Sequence, residues 1–211
     1  MLLIITRETP NHANKLRELY KSLDAREIPY IISRKYDSGL VKRKDIRGLI
    51  IPGARFRVKP YEIQPELELE MYYLYHFPNT PVLGICHGCQ LLMVYYGGNL
   101  KSYKSLWAGN NDVEFDLSRD GIFKGQEEQH DKMNFYFHEL PVAPPQHSPG
   151  SKTDVREIAW ITKFRDGGRH ACAFEFVKDR VYGVMFHPEL GHESRNIIYN
   201  FYDNVCSSPS S

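Results

Sequence analysis

The sequence predicts an α/β fold: an open, mostly parallel sheet flanked by helices, with a β-rich C-terminal part. Three observations predict it. Short apolar runs recur through the first half of the chain, each of a length suited to a buried strand. Stretches with apolar residues at helical spacing lie between them, so strand and helix alternate over short connections. In the second half, β-rich runs follow one another directly, with Asp166-Gly167-Gly168 as a hairpin turn between two of them.

The elements follow in order. Leu2–Ile5 is a buried strand. Asn11 is placed to cap a helix whose apolar positions are Ala13, Leu16, Leu19, Tyr20 and Leu23. Residues 29–32 form a second strand, and Gly48–Ile51 a third, stopped by Pro52-Gly53. Residues 66–77 read as a helix with Leu67, Met71 and Leu74 on one face. Residues 81–85 form a fourth strand that runs straight into a helix over 88–96. Residues 100–138 mix strand-like pieces, 112–117 and 134–137, with turns. Residues 139–154 carry Pro141, Pro144, Pro145 and Pro149 and read as a loop. Strands are expected at 156–164, 171–177 and 181–186. The last helix is expected over 193–205, with Ile197, Ile198, Phe201 and Val205 inward.

A chain of 211 residues buries roughly 70% of its unfolded surface, so it needs neither disulfide nor metal to hold together. One domain is expected over 1–205, followed by a polar tail, 206–211. No apolar run approaches the roughly 20 residues needed to cross a bilayer. Met1 to Pro10 has no basic start, and Arg7 interrupts it too early for a secretory segment. Lys and Arg total 27 against 26 for Asp and Glu, which argues against a dedicated nucleic-acid binder. Four cysteines without a secretory signal suggest reduced thiols in a cytoplasmic protein.

The sharpest chemical signal is Gly84-Ile85-Cys86-His87-Gly88-Cys89-Gln90. A buried strand runs into a helix with a cysteine at the corner and a glycine two residues to either side. This is the cysteine form of a nucleophile elbow. The turn forces poor backbone angles on Cys86, and glycines at 84 and 88 avoid collisions with it. The helix N-terminus behind the sulfur favours thiolate. The His87 backbone N–H would face an oxyanion formed beside the sulfur. Cys86 and Cys89 also make a C-x-x-C, a redox or half-zinc pattern. Zinc needs two further ligands, and Cys172 and Cys206 form no second pair.

Residues 181–186 lead into His187-Pro188-Glu189. A histidine at a strand end presents its ring at the sheet edge, where α/β sites lie. In an extended chain Glu189 falls on the same side as His187, which suits a carboxylate that fixes the imidazole tautomer. A surface turn is the alternative for this tripeptide alone. His138, within an aromatic segment, either lines a site or is a structural histidine.

With these residues in place, the sequence resembles the class I glutamine amidotransferases. Gly84-Ile85-Cys86-x-Gly88-x-Gln90 is similar to that family's nucleophile motif, and Phe186-His187-Pro188-Glu189 to its C-terminal motif. Leu49-Ile50-Ile51-Pro52-Gly53 resembles its oxyanion loop, Gly97-Gly98 the close of the helix behind the nucleophile, and Asn200-Phe201 a pair in its last helix. The resemblance implies hydrolysis of the glutamine side-chain amide without a cofactor or metal. Cys86 would attack the carboxamide, His187 would act as base and then protonate the departing ammonia, and Glu189 would orient His187. Water would cleave the thioester that forms. Gly53 and His87 would supply oxyanion N–H groups, Gln90 would touch the substrate, and a synthetase subunit would accept the ammonia.

The loop after Gly53 departs from the family pattern. Arg55, Arg57 and Lys59 make it basic, closer to the related γ-glutamyl hydrolases, which share the triad. Those charges read either as a solvated loop or as contacts for a partner or an anionic γ-glutamyl substrate. A stand-alone γ-glutamyl hydrolase is therefore the second reading, and an idle binding or redox module the third. The isolated chain is expected to turn glutamine over slowly until a synthetase partner repositions the loop at Gly53.

Overall fold

Leu2, Leu3, Ile4 and Ile5 are all buried, as a strand covered on both faces requires. The same holds for Gly48–Ile51, Val82–Ile85 and Val181–Val184, while Tyr30–Ser33 at the sheet edge is largely half-buried. The computed structural model describes residues 1–8, 14–59, 62, 64–118, 121–126, 132–143, 154–162, 167–176 and 180–207. Along the chain come β1 (Leu2–Ile5), α1 (Asn14–Ala25), β2 (Tyr30–Ser33), β3 (Gly48–Ile51), α2 (Glu68–His76), β4 (Val82–Ile85) and α3 (His87–Tyr95). Then follow β5 (Asn99–Phe115), β6 (Lys132–Val142), β7 (Val155–Ile161), β8 (His170–Phe176), β9 (Val181–Val184) and α4 (Asn196–Asn200).

The strands form one sheet in the order β2-β1-β3-β4-β9-β8-β7-β5-β6. From β2 to β9 neighbouring strands are parallel, and from β9 to β6 they are antiparallel. The last parallel strand in space, β9, is the last strand in sequence. It inserts between β4 and β8, so the C-terminal segment is carried into the middle of the sheet. In α1 the buried Leu16, Leu19, Tyr20 and Leu23 face the core at helical spacing. Ile197, Ile198, Phe201 and Val205 are buried as expected.

Several expectations need correction. The segment 100–138 is not strand pieces and turns. β5 runs for 17 residues and pairs with β6 along most of its length, with a register shift between Ser102 and Trp107. Lys101, Lys104, Asn110 and Asn111 hide this strand from an apolar count, because one face of an antiparallel ribbon tolerates polar side chains. Residues 139–142 belong to β6 rather than to a loop. Pro141 is tolerated there because β6 is the edge strand of the sheet. The helix expected over 66–77 starts as a 3-10 turn, Pro65–Leu67, before α2. The last helix is likewise broken into a turn, the short α4 and a π-helical turn, Phe201–Val205. The cap at Asn11, Pro144, Pro145 and Pro149, Asp166 of the hairpin turn, Val177 and the tail at 208–211 lie outside the described residues.

Candidate active site

Three neighbouring parallel strands end at one edge of the sheet, and each delivers a residue there. Gly53 follows β3, Cys86 follows β4 at once, and His187 lies three residues past β9. The register pairs Ile51 with Gly84 and Ile85 with Val184, which brings the three strand ends level. The Cys86 N–H extends the ladder to the Val184 carbonyl at 2.7 Å. The His187 N–H donates to the Asn134 carbonyl of β6 at 2.8 Å, which fixes where the chain leaves β9.

Cys86 has φ 53° and ψ −102°, a strained angle for a residue with a side chain. The flanking glycines serve a purpose other than clearing the sulfur. A Cβ at Gly84 would lie 2.6 Å from the Gly88 carbonyl group, and one at Gly88 would lie 2.0 Å from the Ile51 oxygen. Both glycines let the first turn of α3 rest on β3 and β4. Cys86 is buried, and its thiol lies 3.4 Å from the Tyr136 carbonyl, to which it can donate.

The His187 Nδ1–H donates to Glu189 Oε1 at 2.7 Å, with both side chains buried. The backbone between them is not extended. Pro188–Leu190 is a 3-10 turn, held by Ser194 Oγ on the Pro188 carbonyl at 2.8 Å and by Arg195 Nε on the Glu189 carbonyl at 3.3 Å. Burial alone would lower the His187 pKa. The charges of Glu189 and Cys86 outweigh it and raise the value to about 9. By bond geometry Nε2 has no hydrogen-bond partner among the described residues, although the Cys86 sulfur is near enough to favour its protonation.

Gly53 packs against both groups. A Cβ there would meet His187 Cε1 at 2.9 Å and Cys86 Cβ at 3.7 Å, so only glycine lets the backbone approach so closely. The loop after it is tied down. The Arg55 N–H donates to Glu8 Oε1 at 3.2 Å, the Phe56 carbonyl accepts the His87 Nδ1–H at 3.0 Å, and Arg57 pairs with Glu139 at 3.3 Å. Gln64 bonds both the Arg57 carbonyl and the Lys59 N–H. Arg55 lines the cavity over the site, whereas Arg57, paired with Glu139, and Lys59, paired with Glu62, are exposed, as a solvated loop has them. Burial lowers the His87 pKa to about 4, so this ring is neutral and serves as a strut.

A cavity of about 470 Å³ opens over these groups, lined by Cys86, His187, Gly53, Tyr136, Glu8 and Lys15 among others. Gln90 is not part of its wall. Its Nε2 donates to the Glu139 carbonyl at 2.8 Å, so it ties α3 to β6. His138 does not line the cavity either. Cys89 is fully buried against Gly183, and burial pushes its thiol well above its ordinary pKa, as expected of a packing residue. Glu8 and Lys15 were not identified from the sequence, and Tyr136 only as part of the aromatic segment around His138. Glu8 is an acid after a strand and Lys15 a cation on an amphipathic helix, and each looks like ordinary surface until the strand order is known.

An open α/β sheet with a cysteine at a strand-to-helix corner, facing a buried His–Glu pair, defines the thiol-nucleophile class of α/β proteins. The sequence model of the glutamine amidotransferase class-I family matches residues 9–205, and the chain belongs to that family. It is 31% identical over 183 residues to a glutamine-hydrolyzing GMP synthase of Clostridium perfringens, a match covering 86% of this chain and 32% of that protein. The chain thus spans about a third of the length of the curated relatives it matches. Among solved structures, a putative GMP synthase component of Thermoplasma acidophilum superposes with a TM-score of 0.70 at 19% identity, over 98% of this chain and 93% of that one. A glutamine amidotransferase of Thermotoga maritima gives 0.64 at 18% identity, over 97% and 83%. At these identities the structures speak for the fold.

Proposed function

We propose that this chain hydrolyses the side-chain amide of glutamine and hands the ammonia to a synthetase partner. The observation that carries the reading is the convergence of Cys86, the His187–Glu189 pair and the Gly53 backbone at one cavity. Family membership supplies the substrate class. The relatives' name joins glutamine hydrolysis to GMP synthesis, and this chain matches only about a third of their length.

In this reading the Cys86 thiol gives its proton to His187 Nε2, and the resulting thiolate attacks the carboxamide carbon. The oxyanion takes hydrogen bonds from the N–H groups of Gly53 and His87. His187, charged below about pH 9, gives its Nε2 proton to the departing ammonia, leaving a thioester on Cys86. The now neutral imidazole takes a proton from water, which attacks the thioester and releases glutamate. Glu189 holds the Nδ1–H tautomer throughout. Gln90 supports β6 through its Nε2–H on the Glu139 carbonyl.

The test is ammonia release from L-glutamine by the purified protein, with labelling of the thiols by a glutamine-like diazoketone. Labelling confined to Cys86, and loss of both label and turnover in Cys86→Ala, is the expected result. Undiminished turnover in Cys86→Ala would overturn the assignment.

A further inference from the structure

The loop from Gly53 to Lys59 and the helix α3 come from different parts of the chain, yet the oxyanion draws an N–H from each. Their relative position has to be set by a third element, and one residue of β6 contacts both. The Glu139 carbonyl accepts the Gln90 Nε2–H of α3 at 2.8 Å, and its carboxylate pairs with Arg57 Nε of the loop at 3.3 Å. Glu139 is matched with Ser102 of β5, and the register of the two strands shifts just beyond that pair, between Ser102 and Trp107. Irregularities of this kind re-aim side chains beside functional sites.

The ion pair is lopsided. The Glu139 side chain is 10% exposed and that of Arg57 55%. A pair between two exposed groups contributes little. Here the carboxylate is buried, and Arg57 is its one cationic partner at ion-pair distance among the described residues. If the loop lifted, Glu139 would stay buried without a counter-charge, which costs more than the intact pair contributes. The backbone around Arg57 is tied as well. Its carbonyl accepts Gln64 Nε2 at 2.7 Å, and the Phe56 carbonyl before it accepts the His87 Nδ1–H of α3. A hold on the Arg57 guanidinium therefore reaches the stretch of backbone that carries Gly53.

We propose that Glu139 is a positioning residue for the oxyanion site: its carboxylate clamps the Gly53 loop through Arg57 while its carbonyl holds α3 through Gln90, so that both N–H donors are set against one strand. The proposal rests on the amidase reading and adds what keeps the loop in register with the nucleophile helix. Glu139 does not line the cavity, so it acts through the loop and not on the substrate.

Glu139→Gln keeps the carbonyl and the shape and removes the charge, and Arg57→Met removes the cation. Each should lower kcat for glutamine about 10- to 100-fold, somewhat less than the loss of a whole oxyanion donor, with KM little changed. The double variant should lose no more than the larger single loss, because the pair can be broken only once. Arg57→Lys should recover most of the turnover. Alkylation of Cys86 by iodoacetamide forms no oxyanion, so it should keep its wild-type rate in every variant. Amide exchange over residues 53–59 should speed up while that of α3 stays as it was. Wild-type kcat in both single variants, losses that multiply in the double variant, or an alkylation rate that falls as far as kcat would overturn the clamp. Should the wild type release no ammonia from glutamine, the amidase reading falls, and amide exchange then decides the clamp separately. Unchanged exchange over 53–59 in both Glu139→Gln and Arg57→Met would overturn it.

Discussion

At Cys86 the chain holds a side-chain-bearing residue at φ 53°, a conformation that costs about 1–3 kcal/mol and persists only where the surroundings enforce it. Here the enforcement comes from α3 resting on β3 and β4, and the result is a sulfur beside a histidine whose other nitrogen is fixed. Removing the base should cost more than removing its orienter. His187→Ala is expected to lower kcat on the order of 10⁶-fold and Glu189→Gln on the order of 10⁴-fold, measured as ammonia release. A larger loss in Glu189→Gln than in His187→Ala would contradict these roles. The two buried histidines also pull stability in opposite directions with pH. His187 binds its proton more tightly in the folded state, so its contribution is full below about 6.5 and is lost as pH rises through about 9. His87 resists protonation in the folded state, so its contribution is full above about 6.5 and is lost as pH falls through about 4. Urea midpoints at pH 4, 6.5 and 9.5 should therefore fall less on the alkaline side in His187→Gln and less on the acid side in His87→Gln. Curves parallel to the wild type would refute the assignment.

Among the elements, α3 carries the tightest packing constraint. Gly88→Ala would press a methyl group onto the Ile51 carbonyl. It should destabilise the fold by about 1–3 kcal/mol and, by lifting the first turn of α3, reduce turnover as well. Gly97, at φ 88° with open space around it, tests the alternative. Gly97→Ala should cost about 1 kcal/mol through backbone strain alone and shift Tm more than kcat. Equal activity loss in the two variants would mean that α3 does not position the sulfur. The same scale separates what local sequence could say. The parallel strands were legible because burial on both faces makes them continuous apolar runs. β5 and β6 were not, because an edge ribbon accepts lysines, asparagines and even Pro141.

Across the whole molecule, the loop from Gly53 to Lys59 is held by residues from distant parts of the chain: Glu8, His87 and Glu139. The sequence suggested a loop out of place until a partner docks. With Gly53 already against Cys86 and His187, the isolated chain should release ammonia from glutamine unaided. An added synthetase should alter that rate by less than about tenfold, since the Gly53 backbone already packs against Cys86 and His187. A hundredfold stimulation would show that the seated loop is not the active one.

By itself the sequence determined the nucleophile corner, the His-Pro-Glu segment and the alternation of strand and helix. Each of these is local: a glycine bracket, a strand end and an apolar period can be read within a few residues. Only the tertiary structure decided that β9 lies beside β4, which sets His187 next to Cys86 across a separation of about a hundred residues. It also decided that Gln90 braces β6, that Arg57 is paired with Glu139, and that Glu8 and Lys15 face the same cavity as the sulfur. A charged or polar side chain has the same sequence signature in solvent, in a strut and in a binding site. Strand order chooses among them, and it is fixed by packing between segments far apart in the chain.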